Sequence, residues 1–147
     1  MKSLVPISLL LLTLLLSACS NEEVIKHDYL FTGEGQYWEA EYIYEGTEIW
    51  GEENNRTTYS HEKKDTFVLT FKGSLDEMQS IKNLDYSYQT SAGGSSVSRE
   101  FDQPPNDISF RTSGGGTGAK INKDETIPVI VKWNGSEESF ELINKAE

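Results

Sequence analysis

Cysteine is almost missing from this chain: Cys19 is the only one in 147 residues. A lone cysteine makes no intrachain disulfide and no thiolate cluster for zinc or redox chemistry, so the folded part has to be held by packing. Histidine is nearly as scarce, with only His27 and His61, and nothing in their spacing brings them together, so a nucleophile-His-Asp constellation has little support. Basic residues are outnumbered, 13 Lys+Arg against 24 Asp+Glu, for a net charge of −11. Phosphate backbones and anionic lipid headgroups repel such a surface, which argues against nucleic-acid binding and against electrostatic docking on a membrane. A long apolar run is missing too. The stretch from Leu4 to Leu16 is broken by Pro6, Ser8 and Thr13 and is followed by Ser20-Asn21-Glu22-Glu23, short of the about 20 apolar residues a spanning helix needs.

What that stretch does have is the build of a secretory signal: a short start carrying Lys2, an apolar centre and small residues at its end. Leu16-Ser17-Ala18-Cys19 closes it. Here the chain resembles the bacterial lipoprotein family, whose lipobox has Leu first, small residues at the next two positions and Cys fourth. The resemblance implies that residues 1–18 are a lipoprotein signal peptide cut before Cys19 and that the Cys19 thiol carries acyl chains. The mature protein would then be held on the extracytoplasmic face of the cell membrane. Each buried methylene contributes about 0.8 kcal/mol, and two chains suffice for stable anchoring where one is marginal. Loss of Lys2 with the leader leaves the mature chain more acidic still. Residues 19–27, polar and without period, read as a lipidated tether, and residues 28–147 as one domain.

From Asp28 onward the pattern is that of strands. Trp38, Ala40, Tyr42 and Tyr44 alternate with Glu39, Glu41, Ile43 and Glu45, the period-two signature of a strand with one face on a core and one in water. Gly46 to Asn55 reads as a loop or long hairpin tip. Trp50 lies within it and is the candidate binding residue: either it folds back over the end of the core, or it belongs to a surface for a partner or ligand. Thr57 to His61 and Asp65 to Lys72 are β-prone. Ser74 with Glu77 predicts a capping box on one or two helical turns. Leu84, Tyr86 and Tyr88 alternate in a further strand. Ser91 to Ser96 reads as flexible, Val97 to Phe101 and Ile108 to Phe110 as short strands, Ser113 to Gly118 as a mobile turn, and Ala119 to Ile121 as pairing back across it. At the C-terminus, Asn134-Gly135 predicts a type I′ hairpin with Trp133 opposite Ser136, Lys132 opposite Glu137, Val129 opposite Phe140 and Ile127 opposite Leu142. Glu138 then faces inward opposite Val131, which demands that this end of the hairpin lie at a rim.

Seven or eight short strands and no long helical pattern predict an all-β fold, an antiparallel β-sandwich of immunoglobulin-like layout, with a small closed β-barrel as the alternative. Phe31-Thr32-Gly33-Glu34 followed by Trp38, together with Trp133-Asn134-Gly135, Glu138, Phe140 and Leu142, resembles small uncharacterised lipoproteins of Bacillus and its relatives. That likeness implies a Gram-positive host and a fold, and no mechanism.

The motifs of chemistry are thin. His61-Glu62-Lys63-Lys64-Asp65 departs from HExxH at its fifth residue, and Gly114 to Lys120 fails the phosphate-loop spacing because Ile121 follows Lys120. Glu52-Glu53-Asn54-Asn55 and Asp102 with Asn106-Asp107 offer oxygens without the spacing of a calcium loop. No cofactor, metal site or catalytic set is expected. The leading expectation is a lipid-anchored module that binds a protein or envelope component through its loops. The alternatives are a hydrolase using two carboxylates and a solute or cation sensor.

Overall fold

The computed structural model describes residues 21–145, and the lipobox Leu16, Ser17, Ala18 and Cys19 lies outside them. The elements run β1 (Glu23–Glu34), β2 (Trp38–Glu53), β3 (Arg56–Phe71), α1 (Leu75–Met78), β4 (Asn83–Thr90), β5 (Gly93–Glu100), β6 (Ser109–Thr117), β7 (Ile127–Trp133) and β8 (Ser136–Asn144). The period-two alternation of β2 does what it implies: Trp38, Ala40, Tyr42 and Tyr44 are buried and the intervening glutamates 39, 41 and 45 are exposed. Phe67, Leu69 and Phe71 of β3 lie on the same side.

All eight strands belong to one antiparallel sheet in the order β5-β4-β7-β8-β1-β2-β3-β6, curled into a half-barrel. The all-β antiparallel class is as expected. The half-barrel is consistent with the expected β-sandwich or barrel architecture, and its two layers are halves of a single sheet. The reason is β8. Along most of its length it pairs with β7, and at its C-terminal end it pairs with β1, Phe31 opposite Asn144 and Thr32 opposite Ile143. Lys145 N–H extends this seam, donating to Leu30 C=O at 2.7 Å. Across the hollow, Phe67 stacks on Tyr88 at 4.4 Å and on Tyr86 at 5.8 Å between ring centroids, joining β3 to β4. Full burial of each such ring is worth about 1.5 to 3 kcal/mol. Trp38 packs on Phe71 and Trp133 at one end of this core.

The C-terminal hairpin has the register read from its turn, pair for pair, with Asn134 and Gly135 at φ 45° and 82° as a type I′ turn requires. Lys132 and Glu137 meet on the solvent face at 3.3 Å. The capping box is present: Ser74 N–H donates to Glu77 Oε2 at 2.7 Å and Glu77 N–H to Ser74 Oγ at 3.3 Å, starting the single turn that buries Met78.

Several expectations are corrected. Glu23 to His27, within the expected tether of residues 19–27, is the first part of β1, paired with Gly46 to Trp50 of β2. Gly46 to Glu53 is likewise strand, and the only turn there is Asn54-Asn55, both left-handed at φ 51° and 58°. The two β-prone segments on either side of Glu62-Lys63-Lys64 are one strand, β3. Gly93 to Ser96 joins β5, and Ser113 to Thr117 joins β6, where glycines pair with Lys63 to Asp65. Ala119 to Ile121 is not a strand, and the Ile121 side chain is buried. In every case but Ala119 to Ile121, tertiary pairing recruits residues whose own propensity is weak.

Candidate functional site

β1, β2 and β3 run on beyond the core as a three-stranded arm. Because side chains alternate along a strand, the face that carries Tyr42 and Tyr44 inside the core continues outward through Glu48 to Trp50. On β3 the same face carries Asp65, His61 and Tyr59, and on β1 it carries Tyr29 and His27. The register sets Glu48 opposite His61 and Trp50 opposite Tyr59. An apolar inner surface thus turns into a polar and aromatic one as it leaves the barrel.

Glu48 is the hub. Its side chain is buried and accepts from three donors: His27 Nε2, Lys120 Nζ at 3.2 Å and Tyr59 O–H at 3.0 Å. The His27 bond is the main cause that draws the Glu48 carboxyl down to about 2, against the opposing effect of burial. His27 Nδ1 meets the Tyr29 hydroxyl at 3.1 Å, and the Tyr29 ring stacks on Tyr44 at 5.7 Å. On the other side, Gly118 C=O can only accept, so the 2.7 Å contact assigns its proton to His61 Nδ1. His61 Nε2 then accepts from the Tyr44 hydroxyl at 3.0 Å. Burial pushes that phenol up to about 12. Both histidines therefore belong to one network, linked through the Tyr29–Tyr44 pair, although nothing in their spacing joins them. The network clamps the segment from Gly118 to Ile121 against the arm. Its members satisfy one another and include no serine or cysteine nucleophile.

Sign and pH window follow from Glu48. Its folded value lies below the ordinary 4.5, so its contribution is complete above that value and disappears as pH falls toward 2. Glu48→Gln is expected to lower the melting temperature at pH 7, with the gap from the parent protein narrowing between pH 5 and pH 2. A gap that stays constant across this range in a pH series of melting curves would contradict the clamp.

Trp50 does not fold back over the core. It is 40% exposed and packs against Tyr59, itself 49% exposed, at 4.5 Å between centroids. The sequence singles out none of Tyr59, Glu48, Lys120, Tyr29 and Tyr44 as a site residue. The signal was available in β1 and β2, whose alternation carries on past Tyr29 and Tyr44 once Gly46 to Glu53 is read as strand. Among the described residues no three His, Cys, Asp or Glu side chains gather as a metal site, and no helix is long and apolar enough to cross a membrane. No protein family, curated protein or solved structure matches this chain. What fold and site define is an antiparallel half-barrel with a clamped aromatic arm.

Proposed function

We propose that the protein is a lipid-anchored extracytoplasmic interaction module of a Gram-positive bacterium, attached through Cys19 and docking a protein or envelope component on the inner face of its arm. The observation that carries this reading is the Trp50–Tyr59 pair: two large rings left half-exposed on paired strands, where a loose loop would have been free to bury them. Rigid aromatic anchors of this kind supply much of the binding energy at interfaces. The position of the pair supports it. Glu23 stands opposite Trp50 and follows Cys19 by four residues, so at about 3.6 Å per extended residue Glu23 lies within ~14 Å of the attachment point. An anchor on Cys19 would hold the arm at the membrane surface, where a tether through residue 27 would have lifted it away. Glu22, Glu23, Glu52 and Glu53 surround the tip, which favours a partner with basic or neutral groups over an anionic lipid or polymer.

Crosslinking in membranes of the producing cell tests both halves. Trp50→Ala should lose the crosslinked partner while shifting stability by no more than about 0.5 kcal/mol, as for most exposed positions. Cys19→Ser should lose membrane retention. A partner indifferent to Trp50→Ala and Tyr59→Ala, or retention that survives Cys19→Ser, would count against the respective half.

A further inference from the structure

Among the described residues β5 and β6 are the edges of the curled sheet, and they approach each other without pairing to one another. At one end the space between them is filled: Arg99 lies over Phe110 at 5.6 Å, Phe101 packs on the same ring at 6.0 Å, and the Tyr86 and Thr112 hydroxyls meet at 3.0 Å. Further along, the inward positions fall to Ser95 on β5, opposite Tyr88, and Gly114 on β6, opposite Asp65. The gap opens there into a cavity of about 270 Å³.

Its floor is chemically unusual. Asp65 is 9% exposed, and its nearest cation is Lys63 at 3.9 Å, beyond hydrogen-bond distance. Tyr42 and Tyr88, 2% and 8% exposed, have hydroxyls that make no hydrogen bond among the described residues. Their surroundings act on them: burial, with the Asp65 charge next, raises both phenols, Tyr88 to about 12. All three line the cavity, and their polar atoms are not sealed in the core, where among the described residues Trp38 Nε1 alone lacks a partner. Gly114 keeps it open, since a Cβ there would stand 3.0 Å from Asp65 Oδ1.

We infer that the cavity between β5 and β6 is a binding site for a small neutral polyhydroxylated ligand, a saccharide unit. The Asp65 carboxylate accepts, and the two tyrosine hydroxyls donate or accept. A cation entering the site would meet Lys63, and an anion would meet Asp65, so net neutrality selects hydroxyl groups over either charge. The small cavity and its mainly polar walls suit one sugar ring better than an apolar ligand. This site lies at the base of the arm, away from the Trp50–Tyr59 pair, and does not depend on what that pair binds.

The test uses the full chain, ¹⁵N-labelled, in a detergent without a sugar headgroup. Glucose and N-acetylglucosamine are titrated in turn, with ethylammonium and acetate as charged probes, while the amides of Gly93, Gly94, Gly114 and Gly115 are followed by NMR. Either sugar should shift these signals saturably at millimolar concentration, and neither charged probe should. Asp65→Asn, and independently Tyr88→Phe, should weaken the response about tenfold at an unchanged melting temperature. Should one variant fail to fold, the other decides. No sugar response up to tens of millimolar, an equal response in the folded variants, or saturation by ethylammonium or acetate would overturn the assignment.

Discussion

Gly33→Ala is expected to lower the melting temperature by about 10 °C, from a loss of about 3 kcal/mol at a few degrees per kcal/mol for a domain of this size. Gly33 lies in β1 where β8 crosses onto it, and a Cβ at this position would stand 2.1 Å from Glu141 C=O and 3.0 Å from Leu142 Cδ2. The nearest obstacle is backbone, which cannot rotate away as a side chain would. Relief requires β8 to lift off β1, and with it the pairs Phe31–Asn144 and Thr32–Ile143 that make one sheet of two halves. Substituting alanine for glycine in an extended segment would otherwise be neutral or favourable, so the sign of the effect is diagnostic. Hydrogen exchange should show the Lys145 amide, donor to Leu30 C=O, losing protection. A melting temperature within about 2 °C of the parent would show that the seam tolerates the clash, since 10 °C is what about 3 kcal/mol implies.

Glu138→Ala should cost about 2 to 3 kcal/mol, the scale of hydrogen bonds to a charged acceptor. The Glu138 carboxylate reaches the β1–β2 connection and accepts the N–H groups of three successive residues: Gln36, Tyr37 at 3.1 Å and Trp38 at 3.0 Å. Removing it orphans these donors beside Trp38, one of the largest buried side chains of the core. Glu138→Gln, which keeps one oxygen and loses the charge, should fall between. Gly35 is the partner position: a Cβ there would lie 2.3 Å from the carboxyl carbon of Glu138. Gly35→Ala and Glu138→Ala should accordingly combine to less than the sum of their separate effects in chemical denaturation, as residues in contact do. Full additivity would mean that the carboxylate is not what the turn is built around.

This same glutamate shows how far the pattern of residues reaches. The hairpin register required an inward Glu138 and hence a rim. It could not supply the three amides that receive the carboxylate, because they are about a hundred positions away and meet it only when β8 closes on β1. The motif around Gly33 and Trp38 and the one around Trp133 and Glu138 were each visible, and their contact was not. The histidines follow the same rule: His27 was lost to a tether because a short polar segment has no pattern of its own, yet pairing with Gly46 makes it a strand and delivers it to Glu48. The glycines of β5 and β6 misled in the same way, reading as mobile turns although neighbouring strands hold them extended.

By itself the sequence determined the strand class, the two hairpin faces with the clearest alternation, the C-terminal register and the capped turn at Ser74. All of these depend on residues a few positions apart, or across a two-residue turn, where backbone geometry and side-chain period leave little choice. Only the tertiary structure decided that one sheet curls rather than two sheets stacking, that the Trp50 arm stands clear of the core, that Glu48 gathers His27, Tyr59 and Lys120, and that β5 and β6 leave a polar gap. Those features depend on which strands become neighbours, a choice made by the summed burial of aromatic rings across the hollow, and no local stretch of residues carries that sum.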